Sequence, residues 1–366
     1  MKKRRKWTGP LLVNGALAIL VIVWSIPTLG LLISSFRTRF DIQTSGWWNV
    51  FPHREWELVA TLDPKELGLD PNGVMEVEGA VGTFKEMREG IESADGKTRV
   101  IWVGNKRLGR IEVQKQVWTV TWDFTLDNYK QVLLGSEVEV VKPDGTVEVT
   151  PGQDMSQAFL NSLAVSIPST VIPILIAAFA AYAFAWMEFP GRRLLFILVV
   201  GLLVVPLQIA LVPILRDYKA LNLNGTFLAV WLAHTGFGLA LATYLLFNYI
   251  STLPRETLES AFIDGASHFT VFLRLVLPLS VPALASFAIF QFLWVWNDYL
   301  VALTFLGTDP TFKVLTQRLA DLTGTFGNDW HLLTAGAFVT MILPLIVFFS
   351  LQRYFVRGLL AGSVKG

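Results

Sequence analysis

"ESAFIDGASHFTVFLRLVLPLSVP", residues 259–282, is a polar and charged turn set between two long apolar stretches. Just upstream, Pro254 suits the first turn of a helix, and Ser251 or Thr252 suits its cap. The run "PRETLESAFI" then carries Glu256 and Glu259 near the positive end of that helix, where the backbone dipole favours carboxylates. Gly265, with Asp264 beside it, interrupts the run and lets the chain turn. Beyond the turn, Phe269, Phe272, Leu273 and Val276 fall at i, i+3, i+4 and i+7, which predicts a second helix with one apolar stripe. Pro278 ends that helix or kinks it. A short helix, a turn and an amphipathic helix fit two roles, an element lying flat on lipid headgroups or a docking knob for a partner. Periodicity alone leaves both open.

What flanks the turn sets the class of the protein. The chain has 366 residues, 53% hydrophobic and 16% charged, with a formal net charge of +1. A soluble domain carries about 25% charged residues, so this composition reads as an integral membrane protein. Six windows free of Asp, Glu, Lys and Arg run 11–33, 158–187, 194–215, 226–250, 275–297 and 332–351. Each meets the requirement of roughly 20 apolar residues for a helix crossing the hydrocarbon core. Pro27, Pro168, Pro173, Pro206, Pro213, Pro282 and Pro344 lie inside them and predict kinks.

Orientation follows from the basic residues of the short loops. If the "KKRRK" cluster at Lys2 to Lys6 is cytoplasmic, six spans also put "EFPGRR", the loop 251–274 and the tail after Leu351 inside. Those segments hold twelve Lys and Arg, against four in the two short outside loops, Arg216, Lys219, Lys313 and Arg318. Both termini are then cytoplasmic. The first apolar run is too long for a signal peptide and lacks a cleavage site, so it reads as an uncleaved anchor.

The first two spans are separated by residues 34–157, with 14 basic and 20 acidic residues, which this orientation makes extracytoplasmic. Alternating runs such as "VMEVEGAVGTF", "TRVIWVG" and "RIEVQKQVWTVTW" predict a small, mostly β insertion, and "EVEVVKPDGTVEVT" a hairpin around Pro-Asp-Gly. No cysteine is present to staple it. Its one histidine, His53, has no evident partner set. "GNKRLGRI", 104–111, imitates a phosphate loop, but Arg110 and Ile111 stand where Lys and Ser or Thr are required, and a hairpin turn is the better reading. With no zinc pair or nucleophile elbow either, the chain alone does not read as an enzyme.

A resemblance decides between the roles of the opening stretch. "ESAFIDGASHFTVFLRLVLP" resembles the signature loop of the membrane subunits of bacterial binding-protein-dependent ABC importers, E-A-A, three residues, G, nine residues, I, one residue, L-P. Glu259, Ala261, Gly265, Leu277 and Pro278 match in register, with Ser260 for the usual Ala and Leu275 for the usual Ile. "WDFTLDNYKQVL", "FLNSLAVSIPST", "AAYAFAWMEFPGRR", "WVWNDYL" and "QRYFVRGLLAGSVKG" are similar to their counterparts in the carbohydrate importers, in the maltose-permease second-subunit type. The resemblance covers roughly residues 1–40 and 118–366. It implies the type I ABC importer fold with six transmembrane helices, here interrupted by the β insertion. The corresponding division is 1–33 for the basic N-terminus and first helix, 34–157 for the insertion, and 158–366 for a five-helix core with coupling loop 251–280 and tail 352–366.

The same resemblance implies partners and sites. A soluble receptor outside would deliver sugar to a heterodimer of this subunit and a homologous permease. Two ATPase subunits would bind ATP and Mg, the chain itself carrying no cofactor or metal. There is no nucleic-acid partner, and the setting is the cytoplasmic (inner) membrane of a bacterium or archaeon. The ATPase contact would be made by Glu259, Ser260, Ala261, Phe262, Asp264, Gly265, Leu275, Leu277 and Pro278, with Leu258, Phe262 and Ile263 as an apolar anchor. Arg357, Gly358, Gly362 and Lys365 of the tail would reach towards the ATPases. An insertion of this kind resembles the α-glucoside subgroup, which implies trehalose, maltose or sucrose.

Within the spans, Gln208, His234, Gln291 and Asn297 are polar groups at depth, and Trp294, Trp296, Asn297 and Asp298 could supply the aromatic face and hydrogen bonds of a sugar path. Bonding between helices accounts for the same residues. The outer loop Gly307 to Asn328 resembles the segment that reaches into the receptor. A secondary transporter would be expected to show internal repeats and buried ionisable pairs. A membrane sensor would need an output domain, and only 15 residues follow Leu351.

Overall fold

The computed structural model describes residues 8–135, 137–141, 146–150, 154–322 and 329–361. The chain divides into two compact units, Met1–Gly30 with Phe40–Phe124, and Leu31–Arg39 with Thr125–Gly366. The first helix, Thr8–Ser35, starts in one and ends in the other. Its stretch Pro10–Ser35 is long and apolar enough to cross a membrane. Leu11, Leu12, Val21, Ile22 and Trp24 lie exposed along it, an apolar flank of the kind that faces the hydrocarbon core.

In the first unit a four-stranded antiparallel sheet runs in the order β1-β6-β5-β4, built from β1 His53–Leu62, β4 Ile91–Glu92, β5 Thr98–Val103 and β6 Arg110–Thr119. A hairpin of β2 Val74–Val77 and β3 Ala80–Thr83 packs beside it. Alternation builds the core: Thr98, Val100 and Trp102 of β5 and Ile111 and Val113 of β6 turn inward onto Met75, Val77, Ala80 and Met87. "GNKRLGRI" is the hairpin turn that the sequence predicts, pairing Val103 with Arg110. Asn105 Oδ1 accepts the amides of Arg107 and Leu108, so these two donors are spent within the loop itself. A capping box starts the Phe84–Glu89 helix, with Glu86 Oε2 accepting from the Thr83 amide at 2.8 Å. These bonds hold the Glu86 carboxyl below its usual pKa.

The second unit is helical. Strands β7 Val138–Val141 and β8 Val147–Thr150 form a separate hairpin whose tip, with Pro143, Asp144 and Gly145, lies outside the described residues. Before it, the Asp127–Leu134 helix clasps the end of the first helix. Thr125 N donates to Phe36 O, and Asn128 Nδ2 donates to the carbonyls of Ser35 and Arg37 at 2.9 and 2.8 Å. The carbonyls left open at that helix end thereby gain donors.

Three more helices are uninterrupted and apolar enough to cross a membrane, Ser156–Trp186, Phe227–Ile250 and the part of Trp330–Ala361 up to Tyr354. The other two expected spans are not straight. Arg192–Val204 and Leu207–Ala220 meet at 103°, and His268–Leu279 and Val281–Trp296 at 72°. At the first break the pre-proline Val205 is extended (ψ 116°) and Pro206 has no N–H to offer. At the second, Ser280 leaves the helical region (ψ 0°) between Pro278 and Pro282. Pro168, Pro173 and Pro344 by contrast stay inside continuous helices. Counting each bent pair as one span gives six among the described residues, with the β region between the first and second.

Candidate functional site: coupling loop and path

The loop begins where the Phe227–Ile250 helix ends. Thr252 Oγ1 donates to the Tyr249 carbonyl at 2.7 Å and Ser251 N to Phe247 O, so both residues close the preceding helix and neither caps the next. Pro254 takes the cap position of the Arg255–Ile263 helix without a side-chain bond. That helix ends in a Schellman cap. Gly265 N donates to Phe262 O and Ala266 N to Ala261 O, both at 3.0 Å, with Gly265 in the left-handed region at φ +82°. Ser267 then caps the following helix, its Oγ accepting from Thr270 N.

The second helix differs from its expected stripe. Phe272–Val276 is a π-helical turn, closed by Leu277 N donating to Phe272 O. Val271, Phe272 and Val276 are buried while Phe269 and Leu273 are exposed, and the extra residue of the turn shifts the helical register after Phe272. Leu258 also turns inward. It is fully buried among Ile250, Leu253, Val271, Phe272, Val276 and Tyr182 and offers no anchor to a partner. Ala261, Phe262, Leu275 and Leu277 are half-buried against the same cluster. His268 fastens the turn, with Nδ1 2.9 Å from the Tyr182 hydroxyl and its ring 4.8 Å from that of Phe262. Glu259, Ser260, Asp264, Gly265 and Pro278 remain exposed, beside Ile263 at 85% and Phe269 at 62%. The result is a loop seated on the bundle, with a polar face and two apolar side chains outward.

Of the tail residues, Arg357 and Gly358 continue the Trp330–Ala361 helix, whereas Gly362 and Lys365 lie outside the described residues, as does the loop segment 323–328.

The path candidates separate. Trp296 is buried, donates its indole N–H to the Thr340 carbonyl at 2.9 Å and stacks on Phe292, a helix-to-helix role. Asn297 is exposed but folds back onto the Leu293 carbonyl of its own helix. Asp298 Oδ2 accepts from Ala302 N and lies 3.8 Å from Nε2 of the buried His234, whose ring meets Trp294 edge-on at 5.2 Å. Trp294 in turn lines a cavity of about 450 Å³ in the angle of the first bent pair, together with Leu207, Asp217, Tyr218 and Phe237. Asp217 and Tyr218, absent from the sequence reading, carry no signal apart from this bend. Gln208 is exposed in the second arm of that pair.

Gln291 is buried where three helices cross, its Nε2 donating to the carbonyls of Ser169 and His234 at 3.1 and 3.4 Å. Gly238 makes room for it, since a Cβ there would stand 2.6 Å from Gln291 Oε1. Gly238→Val should therefore evict the amide and leave it unpaired, at a cost of about 1–3 kcal/mol. Thermal unfolding in detergent should show a lower Tm, partly restored by adding Gln291→Leu, and an unchanged Tm would refute the crossing.

Residues 159–360 match the family described as binding-protein-dependent transport system inner membrane component. The chain belongs to this family. It is 46% identical to the alpha-glucoside transport system permease protein AglG of Rhizobium meliloti over 97% of both chains. It is 47% identical to the osmoprotective compounds uptake permease protein GgtD of Synechocystis, over 96% of this chain and 90% of that one. Both matched ranges take in the insertion. A solved chain from a bacterial ABC transporter involved in the import of the acidic polysaccharide alginate superposes with a TM-score of 0.45 and 20% identity, over 54% of this chain and 74% of that one. The protein is thus a multi-pass inner-membrane permease subunit of an ABC importer. It works with a periplasmic binding protein and an ATPase, and it is the ATPase that binds ATP.

Proposed function

We infer that this permease subunit imports an α-glucoside. The near-full-length match to a relative named for alpha-glucoside transport carries this reading. A homologous permease forms the other half of the path, and the loop 251–280 seats in one of two ATPase subunits. The seat described above supports it, since a short helix held by Leu258 and His268 transmits displacement without flexing. The excess of Lys and Arg supports cytoplasmic termini, a cytoplasmic loop and tail 352–366, and an extracytoplasmic insertion over 34–157. Trp294 and Asp298 are the better path candidates of the original four, with Trp296 serving the helix contact. A compatible solute is the second substrate class, because another relative matched over nearly its full length is named for osmoprotective compounds.

Uptake into liposomes holding both permeases and the ATPases, with receptor outside and ATP inside, tests the reading. Labelled trehalose, maltose or sucrose should enter only with ATP, and excess unlabelled α-glucoside should compete where glycine betaine does not. Competition by betaine alone would move the protein to the solute class, and entry without ATPase would remove it from ATP-driven sugar import.

A further inference from the structure

The large aromatic residues that the first unit leaves exposed beyond its first helix are Trp48, Phe51, Trp118, Trp122 and Phe124. All five stand at one end of the sheet. The β1–β6 register pairs Arg54 with Trp118, and Thr121 N donates to Asn49 O, which brings segments 47–51 and 118–124 side by side. Trp122 Nε1 donates to the Val50 carbonyl at 2.8 Å, and the Arg54 guanidinium lies 5.2 Å from the Trp118 ring. At the opposite end the turns carry Asp63, Lys65, Asp70, Lys106 and Arg107, with Leu67 and Leu108 exposed among them but no exposed aromatic among the described residues.

The aromatic end is also the end that touches the membrane-crossing helix. The Trp47 indole lies on Gly30, where a Cβ would come within 2.7 Å of its Nε1, and Trp47 makes edge contacts with Trp48 and Phe51. Gly30 is five residues from the end of the Thr8–Ser35 helix, roughly 7 Å along its axis. The cluster therefore lies near one end of a helix whose exposed flank is apolar enough to face lipid. That is the zone where amphipathic indoles are favoured, apolar body towards the chains and N–H towards water. Asn49, Arg54 and Asp123 among the rings suit a headgroup layer and not a dry protein contact.

We propose that this end of the insertion is a lipid-binding surface, with Trp48, Phe51, Trp118 and Trp122 in the headgroup zone of the bilayer that the first helix crosses. The surface holds the sheet against the membrane. The proposal is independent of which solute is imported.

The cysteine-free chain makes the test direct. Single cysteines replace Asn49 or Asp123, between the rings, and Asn72 or Arg107 at the far end. Each is nitroxide-labelled in the assembled transporter in nanodiscs of phosphatidylethanolamine and phosphatidylglycerol. Power saturation should show labels at 49 and 123 favouring oxygen over a water-soluble nickel chelate several-fold more than those at 72 and 107. Equal nickel access at both ends would show the aromatic end bare in water, and protection from both relaxants would show it covered by protein. Either result overturns the proposal.

Discussion

Gly265→Asp should abolish uptake and receptor-stimulated ATP hydrolysis while the transporter still assembles and basal hydrolysis persists. Gly265 sits at φ +82°, which a Schellman cap requires at this position. Most side chains pay about 1–2 kcal/mol there, and Asp is among those that tolerate it best. A Cβ at Gly265 meets nothing within 4 Å, so the isolated subunit accommodates the change. The damage arises only if a partner closes over the turn. An unpaired carboxylate buried in such a contact costs about 3–5 kcal/mol. With 1.4 kcal/mol per factor of ten, coupling should fall by about two to three orders of magnitude. Gly265→Ala carries the backbone strain without the charge and should lose far less. Uptake and phosphate release in the liposome assay read both. Transport by Gly265→Asp at the wild-type rate would sink the coupling role of the loop.

The contrast between legible and hidden features runs along this same segment. Gly265 could be read as a turn because its chemistry is local, a residue free of Cβ beside Asp264. The spans could be read because burial in lipid is a matter of composition over some twenty residues. The π-helical turn could not, since a periodic reading presumes 3.6 residues per turn, and the one added residue breaks that period after Phe272. Nor could the bend at Pro206 be ranked above Pro168 or Pro173. The same residue kinks or continues a helix according to the neighbours that satisfy the freed carbonyl. Trp294 and Trp296 show the limit at the path. Two residues apart on one helix, they face a cavity and a helix contact respectively, and their residue type says nothing of which. Asn128, bonded across more than ninety residues to the end of the first helix, is a long-range contact that no local pattern announces.

Leu258 separates seat from contact. Its side chain is fully buried, and the residues around it come from the end of the Phe227–Ile250 helix, the Ser156–Trp186 helix and the π-helical turn. Leu258→Ala should cost about 2–5 kcal/mol at this site, the range for a buried leucine that leaves a cavity. Arg255–Ile263 is only nine residues long, and isolated helices of that length are marginal in water. The loss should therefore fall on the loop helix and not on the spans. Trypsin should cut at Arg255 well before it does in wild type, and uptake should drop steeply although every exposed residue of the loop is unchanged. Leu258→Met, which keeps most of the volume, should cost less than about 1.5 kcal/mol and restore both. Ile263→Ala is the complementary change. At 85% exposure it should leave the trypsin pattern intact and weaken only the association with the ATPase. If Leu258→Ala transports normally while Arg255 becomes cleavable, a loose loop suffices for coupling, and displacement is not carried by a rigid helix on a fixed seat.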